Sequence, residues 1–384
     1  MIRRLIAGSL VALSATTDGA TLNPPPISQM RVYIGTYTGA KSQGIYAARF
    51  DSQTGVLTTP ELVAEAVNPT FLAVHPNHQF LYAVHEVATA TSQSGPAVAG
   101  YAIDVATGRL TWLNTQSSGG AGPCHLVVDR LGQNVLVANY GGGSLAVLPI
   151  GADGRLGPAT ACVQHSGASV NPQRQTAPHA HGITLDAANH FAVCTDLGLD
   201  QLLCYRFDSA QGTLTPNDPP AAAGQPGAGP RHFVFHPTGR YGYVINELVA
   251  TITAFAYDAR RGTLAELQTV TTVPADFAGK NYPAEIVVHP NGKFLYGSNR
   301  GHDSLAVFSI DQPTGRLTWL EQTATLGKAP RNFAIDPTGR FLLVANQDSG
   351  TLVVFHLDPQ TGHLTATGQT ATVGAPVCVL FVPN

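Results

Sequence analysis

The sequence predicts an all-β fold: a seven-bladed β-propeller with four antiparallel strands per blade, its ring closed by N- and C-terminal strands sharing one blade. Three observations predict it. A turn signature recurs seven times, a strand–turn–strand element lies between successive signatures, and the two ends of the chain are complementary pieces of one repeat. Composition agrees. Of 384 residues 44% are hydrophobic and 12% charged, with 40 Gly and 27 Pro. That suits short buried strands joined by tight turns and excludes both disorder and long solvated helices.

The signature is Asp-x-x-Thr-Gly-x-Leu or a degenerate form of it. It spans Asp51 to Leu57, Asp104 to Leu110, Asp208 to Leu214, Asp258 to Leu264, Asp311 to Leu317 and Asp358 to Leu364, with a shortened Asp153-Gly154-Arg155-Leu156 filling the gap. Asp bonds its own backbone and Gly accepts positive φ, so each signature reads as a hairpin. Between signatures comes an apolar strand ending in Asp or His, a turn, and a second apolar strand. Pro230–Pro237 leading to Tyr241–Asn246, and Pro330–Pro337 leading to Phe341–Asn346, are the clearest cases. A third strand of alternating character follows, such as Ser304–Ile310 or Thr351–Leu357. The C-terminal run Pro376–Val382 matches only a first strand, Arg31–Thr38 only a second, and Gly44–Phe50 a third. Joined, they complete the seventh blade and leave no open sheet edge.

Residues 31–384 therefore form the propeller, and residues 1–30 are set apart. Arg3 and Arg4 precede the apolar run Leu5 to Leu13 and the small residues Ser14 and Ala15, the layout of a short secretory signal. A signal implies export to the periplasm. A disordered extension has the same composition and implies a cytoplasmic protein. The run is too short to anchor in a bilayer, and no later segment is apolar enough to cross one, so no membrane partner is expected. The formal net charge is −3 without a basic stripe, which excludes a nucleic-acid surface. Cys124, Cys162, Cys194, Cys204 and Cys378 are scattered without a C-x-x-C pair, against both a disulfide framework and a zinc cluster.

Superposing the repeats locates a site. Anchoring each on the residue that ends its first strand (His75, Asp129, Asp186, His236, His289, Asp336), the fifth position before it holds Thr70, Cys124, His181, Arg231, Ala284 and Arg331. The fourth position before it holds Phe71, His125, Gly182, His232, Glu285 and Asn332. Ten positions after come His85, Asn139, Asp196, Asn246, Asn299 and Asn346; eleven after come Glu86, Tyr140, Leu197, Glu247, Arg300 and Gln347. Antiparallel pairing sets the end of the second strand beside the start of the first, so these columns meet at one end of the channel. The repeated Asn and the anchor Asp and His read as turn residues. His125 and His232 suit packed core positions as well as substrate binding. Arg231, Glu247, Arg300 and Arg331 must be paired or serve a ligand. Pro178-His179-Ala180-His181-Gly182 reads as carrying two extra residues at the rim. Its His-x-His could ligate metal, but no carboxylate or Cys completes such a set, so neither metal nor cofactor is expected.

At these residues the chain resembles the lactonase family of seven-bladed β-propellers, which includes propeller-type 6-phosphogluconolactonase and the carboxy-cis,cis-muconate cyclizing enzyme. The matching stretches are Tyr33–Thr38, Pro178–His181, Gly229–Phe233, Asn246–Leu248 and Ser298–Gly301. The resemblance spans about residues 31–384. It implies a site of one His from the Pro-His-x-His segment with Arg231, Glu247 and Arg300, acting on a small-molecule lactone without a metal. The expected activity is hydrolysis of a sugar-derived lactone such as 6-phosphogluconolactone. His179, His181 or Glu247 would move protons, Arg231 and Arg300 would bind an anion or offset the developing charge, and Arg331, His125 and His232 would contact substrate. Two alternatives stand beside it: a cycloisomerase forming a lactone from a carboxylated, muconate-like substrate, and a non-catalytic binding or scaffold propeller.

Overall fold

Each turn signature closes the hairpin between the third and fourth strands of a sheet. The Asp carbonyl accepts the Gly N–H, at 2.7 Å for Asp51–Gly55, Asp104–Gly108 and Asp311–Gly315, while the Asp51 carboxylate accepts Gln53 N at 2.8 Å. All seven signature glycines, from Gly55 (φ 74°) to Gly362 (φ 80°), are left-handed, the region a Cβ disfavours.

The computed structural model describes residues 29–87 and 95–383. Within them the strands form seven antiparallel four-stranded sheets in a ring. Blades 1 to 6 follow chain order, with first strands Leu72–Val74, Pro123–Val128, Ala180–Leu185, Pro230–Phe235, Tyr282–Val288 and Pro330–Ile335. Blade 7 takes its first strand, Pro376–Pro383, from the C-terminus and the other three, Gln29–Thr36, Gly44–Asp51 and Glu61–Glu65, from the N-terminal side. First strands of successive blades contact one another all the way round, so they line the channel. The opening strand begins at Gln29 and buries Met30, so the propeller takes in two residues that the sequence pattern placed in the N-terminal extension. The rest of the signal-like segment lies outside the described residues.

The core is not one mass but seven clusters, each between two neighbouring blades. Large side chains such as Tyr33, Tyr82, Tyr243 and Tyr296 are fully buried there. Burying a side chain of this kind contributes roughly 1.5–3 kcal/mol. Their hydroxyls repeat a polar latch: Tyr33 donates to Gly108 O at 3.1 Å, Tyr82 to Gly154 O at 3.0 Å, Tyr243 to Gly315 O at 3.0 Å and Tyr296 to Gly362 O at 2.9 Å. Each bond runs from a second strand to the turn signature of the next blade. The anchor histidines tie blades too, with His75 Nε2 on Gly132 O at 2.9 Å and His236 Nε2 on Gly292 O at 2.7 Å.

One detail of register positions the site. In blades 2, 3, 4 and 6 the ladder slips at Pro123/His125, Ala180/Gly182, Pro230/His232 and Pro330/Asn332. The residues skipped are Cys124, His181, Arg231 and Arg331. Each is the extra residue of a β-bulge, which breaks strand alternation and re-aims its side chain. The same register corrects the expected insertion in blade 3. Ala180 pairs with Asp196 as Pro230 pairs with Asn246, so Ala180 occupies the proline slot and no residue is added to the strand. The additional length lies ahead of it, in residues 165–179, where blades 2 and 6 are entered through 118–122 and 325–329.

Candidate active site at the channel mouth

The bulged residues and the ends of the second strands meet around a cavity of about 240 Å³, lined by Glu86, Cys124, Tyr140, Arg174, His181, Glu247, Arg300 and Arg331. Gly229, held at φ 65°, admits the chain to Pro230 where a Cβ would strike Leu248, and Glu247 N returns to Gly229 O at 2.7 Å. These contacts fix the start of the Arg231 strand against Glu247.

Glu247 is the hub of the array. Its Oε1 accepts from Arg174 Nη2 at 2.7 Å and its Oε2 from Arg300 Nη2 at 2.8 Å. Arg231 Nε stands 3.2 Å from Oε2, an ion contact without an aligned hydrogen bond. Burial alone would raise the Glu247 carboxyl, but Arg300, Arg231 and Arg174 outweigh it and hold the group down at about 2. Glu247 is therefore a fixed anion with both oxygens engaged. Arg231 is buried behind it, donating Nη1 to Ala284 O at 2.6 Å, and does not line the cavity. Arg300 does, with Nε on Tyr282 O at 2.9 Å. Burial lowers the Arg300 guanidinium, which Glu247 only partly offsets, to about 9.

Across the cavity Glu86 accepts from Tyr37 Oη at 2.7 Å and, through its other oxygen, from Thr70. Tyr37 in turn accepts from Arg331 Nη2 at 3.0 Å, and the Arg331 guanidinium lies 5.3 Å from the Tyr37 ring centre. Glu247 thus holds its arginines directly, and Glu86 holds Arg331 through Tyr37.

The histidines separate into three settings. His181 is buried and lines the cavity, near Cys124 (Nδ1 to Sγ 3.8 Å) and edge-on to Tyr140 (5.1 Å between centroids). Burial, reinforced by Arg231, His232 and Arg331, holds its imidazole well below the usual range and so neutral. Burial pushes the Cys124 thiol far up, which makes it a packing group rather than a nucleophile. His179 stacks on Tyr140 at 4.4 Å and shares its Nδ1 proton with Tyr140 O at 2.9 Å. Its backbone N–H is held by Asp196 Oδ1 at 2.7 Å, and Asp196 is bound through Oδ2 to His165 at 2.7 Å, itself 2.9 Å from Tyr205 Oη. His125 and His232 lie one residue deeper than the bulge positions and form a floor with Phe71 and Glu285. The Phe71 and His125 rings lie tilted at 36° with their centroids 4.1 Å apart, and the two histidine rings are 4.9 Å apart. His232 Nδ1 is 3.0 Å from Glu285 Oε1, a distance suiting either an ion pair or a neutral acid–imidazole hydrogen bond. Burial raises Glu285 and lowers His232, which favours the neutral form.

Of the residues the sequence singles out, His181, Glu247, Arg300 and Arg331 meet in the cavity; Arg231, His125 and His232 lie behind or beneath it, and His179 stands beside Tyr140. Glu86, Tyr140 and Cys124 sit in the same repeat columns, and Tyr37 lies in one of the matched stretches. Arg174 has no column. It arrives on the loop 165–179, where Asn171 Oδ1 accepts Arg174 N at 3.2 Å and Gln175 Nε2 clamps Leu197 O at 2.8 Å. The repeats carry no signal for it.

Comparison with known proteins agrees with the fold. The family model described as Lactonase, 7-bladed beta-propeller matches residues 31–381. A 6-phosphogluconolactonase of Bacillus subtilis is 40% identical over 301 residues, covering 78% of this chain and 83% of the relative. Another, of Formosa agariphila, is 33% identical over 308 residues, 79% and 85% of the two chains. The solved structure of a periplasmic gluconolactonase of Pseudomonas aeruginosa superposes with a TM-score of 0.87 at 35% identity, covering 92% of this chain and 99% of that one.

Proposed function

Since the chain belongs to the lactonase family of seven-bladed β-propellers, we propose that it hydrolyses a sugar-derived lactone, 6-phosphogluconolactone foremost, to the open-chain hydroxy acid. The observation that carries this reading is a neutral imidazole, His181, in one cavity with three guanidiniums and two carboxylates. A lactone is neutral at its ester and gains negative charge at the carbonyl oxygen during attack. The site supplies positive charge already oriented, which needs no reorganisation as that charge develops.

In the reaction a water oxygen bonds to the lactone carbonyl carbon while His181 takes the water proton. The carbonyl electron pair moves onto oxygen, and Arg300 and Arg331 stabilise the oxyanion. The intermediate then collapses, the ring C–O bond breaks, and the departing alkoxide takes the proton from the imidazolium. Glu247 holds Arg174 and Arg300 in place and keeps the array from repelling itself; it is a positioning residue. Arg231 acts behind it in the same way.

The test is hydrolysis of 6-phosphogluconolactone and glucono-1,5-lactone above the spontaneous rate, with chelator present, by the parent and by His181→Asn. Opening of either lactone by the parent and its loss in the variant support the reading; a parent no faster than buffer on both overturns it. Because His181 is held well below its usual range, the acid limb of the parent's kcat/KM against pH falls below pH 6.5.

A further inference from the structure

A second cavity, of about 380 Å³, opens against the outer side of the first, and Arg300 and Arg331 line both. Neither arginine is fully used by the protein. Arg300 bonds through Nε and Nη2 and Arg331 through Nη2, with no hydrogen bond to Nη1 of either among the described residues. The outer cavity adds Lys280 and Lys328, and its only acidic lining residues are Asp303 and Asp348. Asp303 Oδ1 accepts Ala329 N at 2.8 Å, and its Oδ2 pairs with Lys328 Nζ at 3.2 Å; the lysine end of that pair is exposed, so the contact is a weak one from which a dianion can draw Lys328.

The lysines are carried by anchored backbone. Gly301, at φ 120°, packs so closely that a Cβ would strike Lys280 O, and Asn281 bonds Asn299 Oδ1 at 2.7 Å, which pins Lys280 beside Arg300. Lys328 N donates to Ser349 Oγ at 3.0 Å, and its carbonyl accepts Asp348 N at 3.1 Å. Both lysines lie in loops that enter a first strand, on the face where the bulged residues emerge.

Resting on the lactonase reading, we infer that the outer cavity is a subsite for a phosphate monoester carried by the substrate, with Lys280 and Lys328 supplying its charge and Arg300 and Arg331 joining it to the reacting carbonyl. A dianionic phosphate offers three acceptor oxygens, enough to engage both lysines and an unused guanidinium nitrogen at once. The lactone ring fills the inner cavity and the phosphate at the far end of its carbon chain reaches the outer one. The subsite makes the enzyme selective for phosphorylated lactones.

The experiment uses the full chain and measures kcat/KM for 6-phosphogluconolactone and for glucono-1,5-lactone in the parent, in Lys280→Ala/Lys328→Ala, and in Lys280→Arg/Lys328→Arg. The ratio of the two kcat/KM values is expected to fall at least about tenfold in the alanine pair, through KM, and to recover in the arginine pair. KM for the phosphorylated lactone should also rise with salt. A ratio unchanged by the alanine pair, or a parent that prefers the unphosphorylated lactone, overturns the subsite while leaving the lactonase intact. Calorimetric binding of 6-phosphogluconate against gluconate and inorganic phosphate gives a readout that survives failure of turnover. Tighter binding of the phosphorylated acid, lost in the alanine pair, supports the subsite even if no lactone is opened; equal or absent binding of the three overturns it.

Discussion

The mouth of the channel and its floor are built from neighbouring residues of the same strands, yet they hold opposite kinds of electrostatics. At the mouth, Glu247 touches three guanidiniums and is driven down to about 2. On the floor, Glu285 is just as buried but bonds His232, Asn332 and a backbone N–H, and burial drives it upward. Two carboxylates of similar burial are separated by what lies within contact range. Opposite charge at about 3 Å outweighs desolvation; neutral donors do not. The mouth is a charged array that can act on a polarised carbonyl, and the floor beneath it is a buried layer of imidazole and carboxyl groups whose charged forms burial disfavours.

The sharpest way to break this contrast is at Glu247. Glu247→Ala strips the counter-charge from Arg231 and Arg300 and is expected to cost about 3–5 kcal/mol in denaturant unfolding, with lactone hydrolysis falling by about a thousandfold or more. The parent should also show an acid transition absent from Glu247→Gln, which cannot ionise. Glu247 titrates at about 2 when folded against an ordinary 4.5, so its contribution is complete above pH 4.5 and is lost as pH falls toward 2.

His181→Asn comes next, with kcat down by roughly 10²–10⁴ and thermal stability close to the parent. Arg174→Ala sharpens the role of the non-repeat loop: KM is expected to rise roughly tenfold, while stability moves by no more than about 1 kcal/mol because the side chain is partly exposed. Glu285→Gln should do least, with kcat/KM within about threefold and stability within about 1 kcal/mol, since the amide reproduces the neutral acid. Its sign is opposite to that of Glu247. A folded-state value above 4.5 means stability present at low pH and lost as pH rises through that value, so the Gln variant gains on the parent as pH rises above 4.5. A large loss in Glu285→Gln at neutral pH would show the floor to be ionised after all.

Much of this is legible in the sequence. The seven turns, the blade shared by the two ends of the chain, and the columns holding His181, Glu247, Arg300 and Arg331 all follow from the repeat. The columns do not separate mouth from floor. Arg231 and His232 are adjacent in sequence and both buried, and only the bulge between Pro230 and His232 sends one toward Glu247 and the other toward Glu285. A bulge leaves no mark in a hydrophobic pattern, because it adds its residue without changing composition. The same blindness made Pro178–His181 look like an insertion, when the additional residues lie in the preceding loop.

Blade number, ring closure and the end of the channel that carries charge are properties of local spacing. Hairpin turns and two-residue alternation act over a few residues, so one chain read in order contains them. Ionisation states, the arrival of Arg174 from a loop outside the repeat, and the sharing of Arg300 and Arg331 between two cavities belong to tertiary structure alone. They are set by burial and by groups a few ångströms apart in space but far apart along the chain, 73 positions for Arg174 and Glu247 and 294 for Arg331 and Tyr37.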